Sequence, residues 1–346
     1  MIETFQERIR QAAANRVPLR LRGGGSKDFY GNSPRGEILD TRGYAGIVAY
    51  EPSELVVTAR CGTPLVEIEK ILRQNGQCLP FEPPHFGPGA TLGGCVAAGL
   101  SGPRRAAAGA LRDFVLGVKL IDGRGRALGF GGQVMKNVAG YDVSRLVAGS
   151  LGTLGLIAEV SLKVLPLPAS ELTLELEMDQ AAAIEAMNRW GGEPLPVSAT
   201  AWHGARLQVR LSGAEPAVRS AAQRIGGERR DAGALWQALR EHTHPFFAGG
   251  EPLWRLAVPS TAQPLGLAGE TLIEWGGGQR WVRSRDAREA ARRTGGHGTL
   301  FRADARNETA ECFAPLDAVA MGLHRRLKAA FDPAGVFNPG RMYAEL

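Results

Sequence analysis

Between Gly87 and Pro166 the chain carries glycines spaced at turns between apolar segments, not repeated in tandem. A glycine admits φ > 0, or lets a ligand come into contact with the main chain. So many in one stretch predict a backbone shaped around a large ligand. Thr91-Leu92-Gly93-Gly94 runs into the small residues Cys95 to Gly99, which read as a helix start. Helix N-termini offer free N–H groups and a positive dipole end to phosphate. Upstream, Val17 to Leu21 alternates as a short strand and ends in Arg22-Gly23-Gly24-Gly25-Ser26-Lys27. Glycines after a strand form a candidate anion nest flanked here by two cations; the alternative is a flexible surface turn. The phosphates of a dinucleotide are the first candidate ligand.

The 346 residues fit two or three domains at ~150 residues each. A hydrophobic fraction of 44% supplies an ordinary core. The formal charge of +6 rests on 35 Arg and 6 Lys, scattered without a dense run. That reads as a solvated, mildly basic surface and argues against nucleic acid as a partner. Cys61, Cys78, Cys95 and Cys312 show no CxxC and no metal-ligand spacing. Two of them, in apolar or Gly-rich context, read as packing residues, and the chain is expected to hold no metal and no iron–sulfur cluster of its own. Met1 to Arg16 is a charged amphipathic stretch, unlike a signal peptide. No apolar run reaches the ~18 residues of a membrane span. The expectation is a cytoplasmic chain, with peripheral attachment at the inner membrane only through partners.

Phe5, Ile9 and Ala13 predict one inward helical stripe. Glu54 to Ala59 (ELVVTA) reads as a buried strand. Leu65, Ile68, Ile71 and Leu72 form a helix stripe that opens at Thr63-Pro64 and stops at Asn75-Gly76. Strands are expected over Phe114 to Leu120, Arg126 to Phe130 and Leu156 to Leu165, and a helix over Val138 to Val147. After Pro168 the pattern changes to strands and helices in alternation, an α+β layer with largely antiparallel strands. Asp179 caps a helix over Ala181 to Trp190, and Val197 to Leu211 reads as a hairpin. A last helix, Pro315 to Phe331, leads into FDPAGVFNPGRM.

A Rossmann fingerprint requires strand, GxGxxG, then helix. Gly87 to Gly93 is one residue too long and follows a proline-rich loop; a Walker A pattern is absent too. A dinucleotide would therefore bind through separate glycine loops.

RGGGSK, GPGATLGGCVAAGLSGP, ALRDFVLGVKLIDGRG, GGQVMKNVAGYD, LVAGSLGTLGLI and the closing FDPAGVFNPGRM resemble the FAD-linked oxidases of the vanillyl-alcohol oxidase and p-cresol methylhydroxylase (PCMH) superfamily. The resemblance covers roughly 1–168 and 313–341. Within the superfamily the residues look most like the FAD-binding subunits of bacterial glycolate oxidases. The resemblance implies an α+β fold: a two-lobed PCMH-type FAD-binding domain over 1–168, a small antiparallel α+β cap over 169–305, and a C-terminal helix and tail, 306–346, returning to the FAD domain.

Carried over by position, Arg22, Gly23, Gly24, Gly25, Ser26 and Lys27 would form the first pyrophosphate loop, and Gly89, Thr91, Gly93 and Gly94 the second. Ser101 and Gly102 would lie close to the flavin. Gly152, Gly155 and Ile157 would border the adenine–ribose half. Asn338 and Arg341 would sit near the ring or structure the tail. In several members a histidine just after the glycine loop bonds covalently to the flavin; Lys27 stands there here, so the resemblance implies non-covalent FAD. Glycolate-oxidising relatives also carry a histidine cluster in the cap, and no paired-His motif is evident here. His242 and His244 in HTHP are a candidate for that cluster, with a surface turn the better reading. His297, flanked by glycines, is the best single catalytic candidate, and Arg302 would pair with a substrate carboxylate or with Asp304.

The expected function is a flavin-dependent subunit that oxidises glycolate or a related 2-hydroxy acid and passes electrons to partners, a second FAD-linked oxidase subunit and an iron–sulfur subunit. The rival is a non-catalytic or electron-relay FAD subunit of the same complex. A nicotinamide reductase is disfavoured by the missing fingerprint.

Overall fold

A 14-residue helix, α1 (Ile2–Asn15), buries Phe5, Ile9 and Ala12. The inward stripe therefore steps i, i+4, i+7, and Ala13, expected in it, is only half-buried. The computed structural model describes residues 1–132, 142–304 and 311–346. α1 packs on a cluster with Leu19, Leu39, Leu156, Val336 and Phe337. Two of these come from a parallel pair, β1 (Leu19–Arg22) and β2 (Glu37–Asp40). The C-terminal tail lies along β1: Leu19 donates to the Val336 carbonyl at 2.7 Å, and Asn338 donates to the Leu19 carbonyl at 2.9 Å.

The second lobe is a five-stranded antiparallel sheet of β3 (Ile47–Glu51), β4 (Val56–Arg60), β5 (Val115–Ile121), β6 (Ala127–Gly131) and β7 (Leu156–Lys163), ordered β3-β4-β7-β5-β6. The ELVVTA strand begins only at Val56, because Leu55 takes a left-handed conformation after a 3₁₀ turn. A helix, α2 (Leu65–Gln74), buries Leu65, Ile68 and Leu72, packing them with Val57, Leu120 and Val160. Each such side chain contributes about 1.5–3 kcal/mol on leaving water. The short helix α3 (Leu92–Ala98) starts ahead of Cys95, capped by the Thr91 hydroxyl. Of the helix expected over 138–147, Val143–Leu146 is present. Residues 133–141, with most of the KNVAGYD motif, lie outside the described residues, as does the expected domain boundary at 305/306.

The later part of the chain builds one eight-stranded antiparallel sheet from β8 (Ser170–Glu177), β9 (Val197–His203), β10 (Arg206–Gly213), β11 (Glu228–Arg230), β12 (Leu253–Ala257), β13 (Thr271–Glu274), β14 (Gln279–Val282) and β15 (His297–Arg302). Their order is β11-β8-β10-β9-β13-β14-β12-β15. The twofold alternation of strand side chains separates two faces. One face, with Leu174, Leu207, Val209 and Ile273, is covered by α4 (Gln180–Gly191) and α5 (Glu215–Ile225). On that face, too, Leu256 and Val282 meet Ala287 and Ala291 of a further helix, 287–293. The opposite face, with Ala199, Leu253, Leu272, Trp281 and Phe301, packs on Tyr30, Ala98, Leu100 and Leu151 of the first part of the chain. The α+β class with antiparallel sheets is as expected. Among the described residues no helix is long and apolar enough to cross a membrane.

Candidate cofactor and substrate site

β1 delivers the chain into Gly23-Gly24-Gly25, where Gly25 has φ 74°. The loop lies backbone to backbone on the second glycine loop. A Cβ on Gly24 would overlap the Gly89 carbonyl oxygen, and one on Gly23 would overlap the Thr91 hydroxyl. Any side chain here would push the two loops apart. The backbone N–H groups of Gly23, Gly24, Gly25, Ser26 and Lys27 donate to no protein acceptor among the described residues. These five residues are only partly buried, so the donors are open to a ligand or to water. Such a run has the chemistry of an anion cradle.

The cations beside it are already held. Arg22 Nε donates to Asp28 Oδ2 at 2.8 Å, and Arg20 reaches the same oxygen. Lys27 Nζ donates to the His85 carbonyl at 3.2 Å and sits 5.6 Å from the Phe86 ring centre. Burial pushes the Lys27 ammonium below the usual lysine range; Cys95 and Glu241 oppose the fall.

The loops line a groove of about 590 Å³ bounded by Arg22 to Lys27, Thr91, Gly94, Asn338 and Arg341. A second hollow continues it past Thr41, Cys61, Gly93, Gly152, Gly155 and Ile157. The two share Arg22, Gly23, Gly94, Leu151 and Asn338, so they form one trough. Gly152 and Gly155 take φ of 72° and 158°, and a Cβ on Gly152 would stand 2.7 Å from Asn338 Nδ2. A long, glycine-walled trough with an unpaired N–H run at one end fits a dinucleotide.

The C-terminal tail completes the trough. Asn338 Oδ1 accepts from the Leu21 N–H at 2.8 Å, and Nδ2 donates to the Leu151 carbonyl at 2.6 Å. Arg341 donates to the backbone carbonyls of Lys27, Asp28 and Asn32, tying down the turn after the glycine loop. Both residues thus structure the tail while lining the trough. Beneath them Lys328 Nζ spends its three donors on Asp332 Oδ2 (2.8 Å), the Thr153 carbonyl (2.9 Å) and the Phe337 carbonyl (2.7 Å). The Asp332 carboxylate accepts in turn from the Val336 and Phe337 N–H groups.

Ser101 and Gly102 line a separate, narrow cavity that opens toward solvent against the inner face of the eight-stranded sheet. Register explains its other walls. Glu274 on β13 lies opposite Gln279 on β14, and Trp281 on β14 lies opposite Arg255 on β12. Residues two apart on a strand share a face, so all four look inward. A helix, α6 (Gly233–Glu241), adds His242 at its left-handed C-cap. Thr243 and Pro245 of HTHP are exposed, as in a surface turn, but the His242 side chain turns inward. The His242 ring stacks on Phe247 at 3.9 Å and lies 4.7 Å from Trp281 and 5.0 Å from Phe86. Its Nδ1 has no hydrogen-bond partner among the described residues. Burial, then the charges of Arg302 and Arg255, hold this imidazole well below 6.5 and so neutral.

Arg255 donates to the Tyr30 hydroxyl at 3.1 Å and Arg302 lies 5.2 Å from the Phe29 ring centre. No ion pair of either with a carboxylate is formed among the described residues. Burial lowers the Arg302 guanidinium from its ordinary value, followed by Arg283. His297 is exposed and opens β15 opposite Ala257. It stands five residues, or ~17 Å of strand, from Arg302 and lines none of these cavities. The sequence reading thus missed Arg255 and Glu274, and ranked His242 as a turn residue before a site residue. A glutamate in the apolar run TLIEW was the one legible signal.

A family model described as an FAD binding domain matches residues 2–131, and one described as the C-terminal domain of FAD linked oxidases matches 306–342. The chain is 49% identical to the glycolate oxidase subunit GlcE of Escherichia coli over 99% of its own length and 98% of that protein's. It is 31% identical to the glycolate oxidase subunit GlcD of Bacillus subtilis over 46% of this chain and 34% of that one. In fold it is similar to a 4-ethylphenol oxidase from Gulosibacter chungangensis, with a TM-score of 0.72 at 14% identity over 99% of this chain and 88% of that one.

Proposed function

Because this chain belongs to the FAD-linked oxidase family, in the group of the glycolate oxidase subunit GlcE, we propose that it is the FAD-binding subunit of a glycolate oxidase complex. It oxidises glycolate or a related 2-hydroxy acid to the 2-oxo acid and passes the electrons to partners, a second FAD-linked oxidase subunit and an iron–sulfur subunit. The observation that carries the reading is the run of five unpaired N–H groups from Gly23 to Lys27 at one end of the glycine-walled trough.

Arg22 to Lys27, with Gly89, Thr91, Gly93 and Gly94, hold the pyrophosphate. Gly152, Gly155 and Ile157 border the adenine–ribose half, Ser101 and Gly102 face the ring, and Asn338 and Arg341 fix the floor. When bound, the flavin supplies the two-electron acceptor for the hydride lost from the alcohol carbon. Arg255 and Arg302, cations without an ion-paired carboxylate among the described residues, take the substrate carboxylate. His242, neutral and with Nδ1 unpaired, offers a hydrogen bond to the hydroxyl. His297 has no part in this arrangement. The FAD is held non-covalently, since Lys27 offers no bond of the kind the resemblance assigns to a histidine.

The test is an absorbance spectrum of the purified full chain before and after denaturation, then anaerobically with glycolate. A flavin band released on denaturation and bleached by glycolate is expected. A bound flavin that glycolate does not bleach assigns the chain to electron relay, and a chain that cannot be reconstituted with FAD overturns the reading.

A further inference from the structure

The cavity under the eight-stranded sheet holds one acid that the trough does not use. Glu274 is 3% exposed. It has no cation within ion-pair distance among the described residues, although buried carboxylates are ordinarily paired. Its Oε2 accepts from Trp281 Nε1 at 2.7 Å and from Gln279 Nε2 at 3.0 Å. Its Oε1 accepts no hydrogen bond among the described residues. Those two donors lock the carboxyl group in one orientation, and the residue lines the cavity together with Ser101, His242 and Arg255. We infer that Glu274 is the catalytic base, Oε1 taking the hydroxyl proton of a small 2-hydroxy acid whose carboxylate is anchored on Arg255. The inference rests on the function proposed above.

The O–H bond breaks with its proton passing to Oε1. The electron pair of the C–H bond leaves with its hydrogen to the flavin oxidant, and the carbinol becomes a carbonyl, so two electrons and two hydrogens are accounted for.

Two groups compete for this role, and the field around them decides. A useful base has a pKa near the working pH. His242 is held well below 6.5 by burial and two arginines, so it keeps a transferred proton poorly. Burial raises the Glu274 carboxyl to about 7, opposed by its Trp281 and Gln279 hydrogen bonds and reinforced by Glu82. The charged or titratable groups around it are Glu82 from the proline-rich loop, Arg240 and His242 at the end of α6, and Arg255 on β12.

The test uses the full FAD-loaded chain and its Glu274→Gln variant, which keeps the shape and an acceptor for Trp281. Wild-type flavin reduction by glycolate should rise with pH through an apparent pKa of about 7. The variant should keep its flavin, lose that limb, and reduce more slowly by a factor on the order of 10²–10⁴. Glu274→Asp should restore the limb at a lower rate. Infrared titration gives a readout apart from turnover: a protonated-carboxyl band that fades near neutrality in wild type and is missing from Glu274→Gln. A variant reduced within about threefold of wild type with the same pH limb, or a Glu274 already ionised at acid pH, overturns the assignment and leaves the proposed function standing. A wild-type flavin that glycolate reduces at no pH, beside a normal infrared titration, overturns the proposed function and this role with it.

Discussion

The trough and the cavity lie side by side and are built on opposite principles. The trough is made of main chain: Gly23 and Gly24 leave no room for a side chain, and the groups offered to a ligand are N–H donors. The cavity is made of side chains: Glu274, Gln279, Trp281 and Arg255 converge from three strands by register. The first tolerates no added atom; the second is rebuilt by any change of side chain. A common cofactor and a particular substrate call for those two kinds of surface.

The largest effect should come from adding atoms to the trough. In Gly24→Val the side chain meets the Gly89 carbonyl, with no flexible neighbour to yield. Flavin affinity should fall by more than about a thousandfold, beyond the ~4 kcal/mol that such a factor represents, read as the flavin-to-protein absorbance ratio. Retained flavin would break the claim that main chain recognises the cofactor.

Next is the support beneath it. Lys328→Met leaves Asp332 buried without its cation, and breaking one side of a buried pair costs about 3–5 kcal/mol. Denaturant unfolding should show that loss. Flavin affinity should fall with it, because Asn338 and Arg341 hang from the same tail. A loss of stability with undiminished flavin binding would separate tail from trough.

The smallest effect belongs to the cavity. The Glu274 carboxyl is raised from 4.5 to about 7 in the folded chain. The folded state therefore binds the proton more tightly than the unfolded one. The resulting stabilisation is full below pH 4.5 and is lost as pH rises through about 7. Relative to Glu274→Gln, wild type should lose roughly 3 kcal/mol across that window. Urea unfolding of both proteins at each end measures it, and a constant gap would mean that Glu274 is not desolvated.

The same contrast decides what was legible in the sequence. Glycines announce themselves because few other demands require them at such spacing, so both loops read as candidate phosphate cradles from their residues, while Gly152, Gly155 and the tail entered through the family resemblance. Strands and most helices followed from period and caps, as at Asp179, which does accept from the Ala182 N–H. Side-chain convergence leaves no such trace. Arg255 and Glu274 are 19 positions apart and meet only through register. HTHP has a turn-like composition, yet the left-handed C-cap of α6 drives its first histidine into an aromatic box. His297, attractive for its flanking glycines, faces solvent instead.

The tail alongside β1 has a consequence in time. Leu21 and Asn338, joined by a hydrogen bond, are 317 positions apart. On the ribosome, Leu21, which leads into the first glycine loop, is synthesised 317 positions ahead of Asn338 in its floor. A nascent chain thus has no finished trough to offer, and cofactor capture must follow the emergence of residues 336–341. Until then the loop's unpaired donors face only water.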